Sequence, residues 1–151
     1  MCNSQFAFTK DLRLLTADQY NNIFKNKPIR KKTKFFLIVI KKNNFDHCRL
    51  GLIVSKKELK KAVERNKVKR VIRESFRVNS KNLKGLDIVA LFKPNIEFNL
   101  KLQTGNTSKK PKPNHKNKIK RIEKVDKNEI KLDLEYFWTM LAKKHPQFIK
   151  L

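Results

Sequence analysis

Between residues 61 and 78 the apolar side chains recur at helical spacing. At about 100° per residue, Val68, Val71, Ile72, Ser75 and Phe76 share one face, while Asn66, Lys69, Arg70, Arg73 and Arg77 occupy an opposing arc. Such a helix, beginning between Glu58 and Lys61 and ending near Val78, sets one side against a core and holds a cationic ridge in solvent. Short β-type runs flank it. Leu50, Leu52 and Val54 alternate with Gly51, Ile53 and Ser55, and Asp87-Ile88-Val89-Ala90-Leu91-Phe92 is introduced by Gly85 and closed by Pro94. A strand, a long amphipathic helix and a second strand therefore form the centre of the fold.

Two further elements precede this unit. Thr16-Ala17-Asp18-Gln19 reads as a capping box, followed by Tyr20, Ile23 and Phe24 at i, i+3, i+4, so a short helix is expected over about 17–25, stopped before Pro28. Residues 35–41, rich in aromatic and β-branched side chains and too short for an ordinary helix, read as a strand. A polar link, Lys42 to Asp46, then favours an antiparallel hairpin with the strand at 50–54. Ser55-Lys56-Lys57-Glu58 resembles a second capping box, overlapping the end of that strand. A last helix over about 132–144 carries Leu134, Phe137, Trp138 and Leu141 on one stripe. The expected class is α+β, a small single-sheet sandwich in the order α-β-β-α-β-α.

Residues 95–131 differ in character. Eleven bases and three acids between 101 and 131 give a net +8, and apolar residues are too sparse to offset chain entropy, so a basic low-complexity insertion, flexible when free, is expected there. The expected domain comprises 1–94 plus 132–151.

The whole chain carries 38 Lys plus Arg against 13 Asp plus Glu, a formal charge of +25 over 151 residues. A charge of this size calls for an anionic partner, nucleic acid first, and argues against an enzyme acting alone on a small neutral substrate. Lys is abundant everywhere, so its distribution says little. Arg is not: of eight, Arg65, Arg70, Arg73 and Arg77 fall within thirteen residues, and Arg is the side chain suited to bidentate phosphate contacts.

Protein-borne hydrolytic chemistry has no visible constellation. The acids are dispersed, no HExxH or similar metal pair occurs, and three glycines at 51, 85 and 105 cannot make a phosphate loop. His47 beside Cys48 lacks the further ligands of a zinc site, and His115 and His145 are isolated. No apolar run approaches the roughly twenty residues of a membrane span. The start Met1-Cys2-Asn3-Ser4 lacks the pattern of a secretory signal, so Cys2 and Cys48 are expected in a reducing compartment, the cytoplasm.

The segment Ala62-Val63-Glu64-Arg65-Asn66-Lys67-Val68-Lys69-Arg70-Val71-Ile72-Arg73-Glu74-Ser75-Phe76-Arg77 closely resembles the signature of the protein subunit of bacterial ribonuclease P. The resemblance extends to Phe8-Thr9-Lys10-Asp11-Leu12-Arg13-Leu14-Leu15, to Tyr20 and Phe24, to Leu50-Gly51-Leu52-Ile53-Val54-Ser55-Lys56-Lys57, to Asp87-Ile88-Val89 and to the Trp138 helix. Lys67 departs from the pattern, standing where Arg is usual, which keeps the charge and gives up the fork. The insertion is absent from a typical member, and it is either an auxiliary RNA contact that orders on binding or a solvated low-complexity extension.

The resemblance implies a left-handed β-α-β crossover, as in a domain of a ribosomal protein and of translocating GTPases, against the general right-handed rule. It also implies a division of labour in which a catalytic RNA subunit does the chemistry with Mg²⁺ bound mainly by RNA. The protein, to which no catalytic or metal-binding residue is assigned, would help bind precursor tRNA and the metal ions that the RNA uses, and so assist removal of the 5′ leader. Arg65, Asn66, Lys67, Lys69, Arg70, Arg73 and Arg77, with Lys56 and Ser55, would contact RNA. Tyr20, Phe24 and Phe36 would line a groove for the single-stranded leader, in competition with core packing. A structural RNA-binding protein, for instance of the ribosome, is the main alternative. An architectural DNA-binding protein is disfavoured by the lack of helix-turn-helix spacing.

Overall fold

The computed structural model describes residues 8–94 and 124–149, with side chains through 147. The first helix, α1 (Ala17–Lys25), is capped as its sequence requires. The Gln19 amide donates to Thr16 Oγ1 at 3.3 Å, and Gln19 Oε1 accepts the Thr16 amide at 3.1 Å. The chain leaves the helix through Lys27, at φ 44°, and Pro28.

Four strands follow: β1 (Ile29–Lys32), β2 (Phe36–Lys42), β3 (Arg49–Ile53) and β4 (Leu86–Phe92), with α2 (Ala62–Asn79) between the last two and α3 (Lys127–Ile149) after them. They form one sheet in the order β1-β2-β4-β3, β1 and β4 antiparallel to β2, and β3 parallel to β4. The α+β, single-sheet class is therefore as expected, with one strand more. Only one apolar residue, Ile29, marks β1 in the sequence, and its pairing with β2 makes it a strand.

The expected hairpin between the runs at 35–41 and 50–54 does not form: β4 lies between β2 and β3. Strand composition explains the placement. Leu86 to Ala90 in β4 are all buried, which requires cover on both faces and a central position, whereas β3 has Gly51 and half-buried Leu52 and Ile53 and goes to the edge. The 43–48 link crosses the end of β4, with the Asn43 amide donating to Gly85 O at 2.9 Å and Asn43 Nδ2 to Asp87 Oδ1 at 2.7 Å. Gly85, at φ 74°, makes that turn in the left-handed region.

Two cores lie on the two faces of the sheet. Phe36, Ile38, Ile40, Ile88, Ala90 and Phe92 face α2 and α3, where Val68, Ile72, Phe76, Leu134 and Trp138 close the larger core. Trp138 Nε1 donates to Ser75 Oγ at 2.8 Å, so the buried hydroxyl on the inner stripe of α2 is paired. On the opposite face a smaller cluster, Leu14, Ile23, Val39 and Val89, sits under α1. The Ser55–Glu58 segment is a turn and not a helix cap. Glu58 and Leu59 amides donate to the Ser55 hydroxyl and carbonyl, and α2 starts only after Lys61, which gives no side-chain cap. The last helix begins at Lys127 rather than 132, so residues 127–131 belong to it; residues 95–123 of the expected insertion lie outside the described residues. Among the described residues no helix is long and apolar enough to cross a membrane.

Candidate nucleic-acid interface

Alternation and register lay out the sheet face that carries α1. Arg30 and Lys32 of β1 share it with Leu37, Val39 and Lys41 of β2, Asp87, Val89 and Leu91 of β4, and Arg49, Gly51 and Ile53 of β3. Cross-strand partners make rows. α1 covers the middle row, Arg30–Val39–Val89–Gly51, by placing Ile23 over Val39 and Val89. The row Lys32–Leu37–Leu91–Ile53 keeps its three apolar members half-buried beside half-buried Phe24. That row is a shallow apolar floor with a cation at one end, and at its other end Ile53 leads through Val54 to exposed Ser55 and Lys56.

Of the three aromatics expected in a groove, Tyr20 and Phe24 border this face. Phe36 does not. It is 0 % exposed on the opposite face and packs edge-to-face on Phe92 at 5.6 Å, because strand alternation turns position 36 inward and position 37 outward. Leu37, Leu91 and Ile53, with Arg30 and Lys32, are the surface residues that the sequence reading missed, because the apolar runs at 35–40 and 88–92 show no alternation and only the strand pairing fixes which residues face out.

On α2 the exposed arc is as the helical wheel requires. Asn66, Arg70, Arg73 and Arg77 are exposed and Lys69 half-buried, while Val68, Ile72, Ser75 and Phe76 are buried. The bases are not equivalent. Arg65 Nη1 donates to the carbonyls of Leu59 and Lys60 at 2.9 and 2.6 Å and so ties the preceding turn to the helix. Lys67 pairs with buried Glu64 at 2.6 Å, and Arg70 with Glu74 at 3.2 Å. The Lys67 hydrogen bond, assisted by the Val125 amide, holds the Glu64 carboxyl below the usual glutamate range against the opposing effect of burial. Lys69 and Arg73 make no ion pair or hydrogen bond within the described chain, so their charge is available to a ligand.

Among the buried and half-buried carboxylates, those of Glu64, Asp87 and Asp133 have protein partners. Asp87 receives Arg49 Nε and Nη2 at 2.8 and 2.7 Å, a fork that raises the guanidinium pKa further; Asp133 accepts from Thr33, Lys34 and Phe35. Among the described residues no three His, Cys, Asp or Glu side chains gather to hold a metal. His47 pairs with Asp46 at 3.1 Å, and burial pushes the neighbouring Cys48 thiol up, out of the reactive range.

Residues 8–111 match the family model described as Ribonuclease P. The chain is 48% identical over 92 residues to the ribonuclease P protein component of Pseudoalteromonas translucida, spanning 61% of this chain and 65% of that relative, just under two thirds of its length. It is 47% identical over 89 residues to the Haemophilus influenzae component, covering 59% and 74%. Among solved structures, the ribonuclease P proteins of Staphylococcus aureus and Thermotoga maritima superpose with TM-scores of 0.61 and 0.58 at 25% and 26% identity, covering 85% of this chain in each case and 94% and 96% of theirs.

Proposed function

The chain belongs to the ribonuclease P protein family, and from that premise we propose that it serves as the RNA-binding subunit of the enzyme that removes 5′ leaders from precursor tRNA. Membership supports a partnership with the ribonuclease P RNA in tRNA processing. The observation that carries the finer reading is the meeting of two surfaces at residues 54–61. There the uncovered row Leu37–Leu91–Ile53 of the sheet runs into the start of α2, whose outer arc presents Lys69 and Arg73 without internal partners.

Each surface suits one partner. Cations on one helix face, with Asn66 able to donate and accept, neutralise phosphates of the folded catalytic RNA and release counterions. The apolar floor beside Phe24 and Tyr20 takes the faces of unpaired bases with little sequence preference, as a leader of variable sequence demands. The cleavage itself belongs to the RNA with Mg²⁺. The ion is held chiefly by RNA on this reading, which the engagement of Glu64, Asp87 and Asp133 by protein donors supports. The cytoplasm is the compartment where such substrates are made.

The test is precursor-tRNA cleavage at low Mg²⁺ by a ribonuclease P RNA, with and without the protein and with a Lys69→Ala/Arg73→Ala variant. Stimulation by the wild type that the variant loses supports the reading. Tight RNA binding without stimulation of a cognate RNA would leave a structural RNA-binding protein in its place.

A further inference from the structure

If the open sheet face carries the leader, as proposed above, the strand has to leave the sheet across an edge. The outer edge of β3 is occupied: the Leu14 amide donates to Leu50 O at 3.0 Å, and the Leu52 amide donates to the Tyr20 hydroxyl at 3.1 Å. Because α2 is the surface proposed to meet the catalytic RNA, the leader's cleavage-proximal end is assigned to the side of Ser55, Lys56 and α2, next to β3, and its distal end to β1. There three consecutive cations alternate across the strand, Arg30 and Lys32 on the open face and Lys31 on the other. Positive charge thus continues round the β1 edge.

Beyond that edge lies a cleft of about 120 Å³ between β1 and α3. Its wall is apolar: Tyr136 is 68 % exposed and Met140 37 %, an aromatic face and a thioether held in solvent. Lys31, Lys32 and Lys144 ring it, and among the described residues no carboxylate lines it. We propose that this cleft is a second stacking site, which receives an unpaired base from the distal part of the leader after the strand has rounded β1, with its phosphates against Lys31 and Lys144. A second copy of a chain with a charge of +25 is repelled from a lysine-ringed cleft. An acidic peptide would meet the same charges, but only a strand already held on the open face is led there by the cations of β1.

The experiment measures binding of the reconstituted protein–RNA complex to precursor tRNAs whose leaders are shortened stepwise from the 5′ end. Wild type is compared with Tyr136→Ala, Tyr136→Phe and Lys144→Ala. With leaders long enough to pass β1, Tyr136→Ala weakens binding about tenfold, within the range of one lost stacking contact, and Tyr136→Phe retains it. With the shortest leaders all variants bind alike. A fluorescent purine placed distally is quenched by wild type and released in Tyr136→Ala. Equal loss with long and short leaders, or none with either, overturns the second site while leaving the groove. A wild-type affinity that ignores leader length overturns the leader reading itself. Self-association of the protein that Tyr136→Ala abolishes would assign the cleft to a second copy.

Discussion

The ring of Tyr20 occupies the space a side chain on Gly51 would need: a Cβ built there lies 2.6 Å from Cε1 of the tyrosine. The Tyr20 hydroxyl meanwhile accepts the Leu52 amide, so ring and hydroxyl together fix α1 over β3. Gly51→Ala therefore has a packing cost, about 1–3 kcal/mol for a forced methyl. The expected outcome is a lower denaturation midpoint with an unchanged slope. Leader affinity falls as well, because α1 is the wall of the groove.

Phe36 and Leu37 are adjacent in sequence and opposite in consequence. Phe36→Ala empties a fully buried site against Phe92 and is expected to cost about 3–5 kcal/mol of stability. Leu37→Ala, on the half-buried open face, should leave the melting temperature nearly unchanged and weaken binding of precursor tRNA relative to mature tRNA. The reverse pattern would place the groove on the other face.

This pair also shows where the sequence stops being legible. Helical wheels placed α1 and the two faces of α2 correctly, because a 3.6-residue period over two or more turns has one solution. In the run from Phe35 to Ile40 every residue is apolar, so no alternation tells inside from outside, and only the partners on β4 decide the parity. Pairing order was hidden for a similar reason: proximity in sequence favours a hairpin between β2 and β3, but burial on both faces draws β4 into the centre. The separation of the α2 bases into tethered and available was not legible at all, since it depends on where the turn at 59–61 and Glu64 come to rest.

Asp133 joins α3 to the β1–β2 turn. Its carboxylate accepts from Thr33 Oγ1 at 2.6 Å, from the Phe35 amide at 3.1 Å and from the Lys34 amide at 3.2 Å. Asp133→Ala removes the common acceptor and should cost about 1–3 kcal/mol, the range for stranding part-buried donors. Hydrogen exchange at the 34 and 35 amides should accelerate more than exchange at the 88–90 amides of β4, showing that the turn loosens before the sheet.

Glu64 sets an acid limit on stability. Its carboxyl is held below its ordinary value by the Lys67 hydrogen bond and the Val125 amide. A depressed folded-state pKa contributes stability above the unfolded value and loses it as pH falls through the folded one. Glu64→Gln should therefore flatten the loss of stability below the usual glutamate range, measured by denaturant midpoints against pH. Neutral-pH stability should fall in the same variant, because Lys67 loses its partner.

The bases of α2 should separate by salt dependence. A cation that contacts a phosphate contributes about 0.9 to the slope of log affinity against log salt on duplex, and about 0.7 on single strands. Lys69 and Arg73, unpaired within the described chain, are each expected to lower the slope by about that amount when replaced by Ala. Lys67 should leave the slope nearly unchanged, since Glu64 already holds its ammonium at 2.6 Å. Arg65→Ala should behave in a third way. Its Nη1 bonds to the Leu59 and Lys60 carbonyls hold the turn before α2, so its loss lowers stability as well as affinity. Equal slopes for Lys67→Ala and Arg73→Ala would mean that the Lys67–Glu64 pair opens on RNA, and that the ridge binds as a diffuse charge.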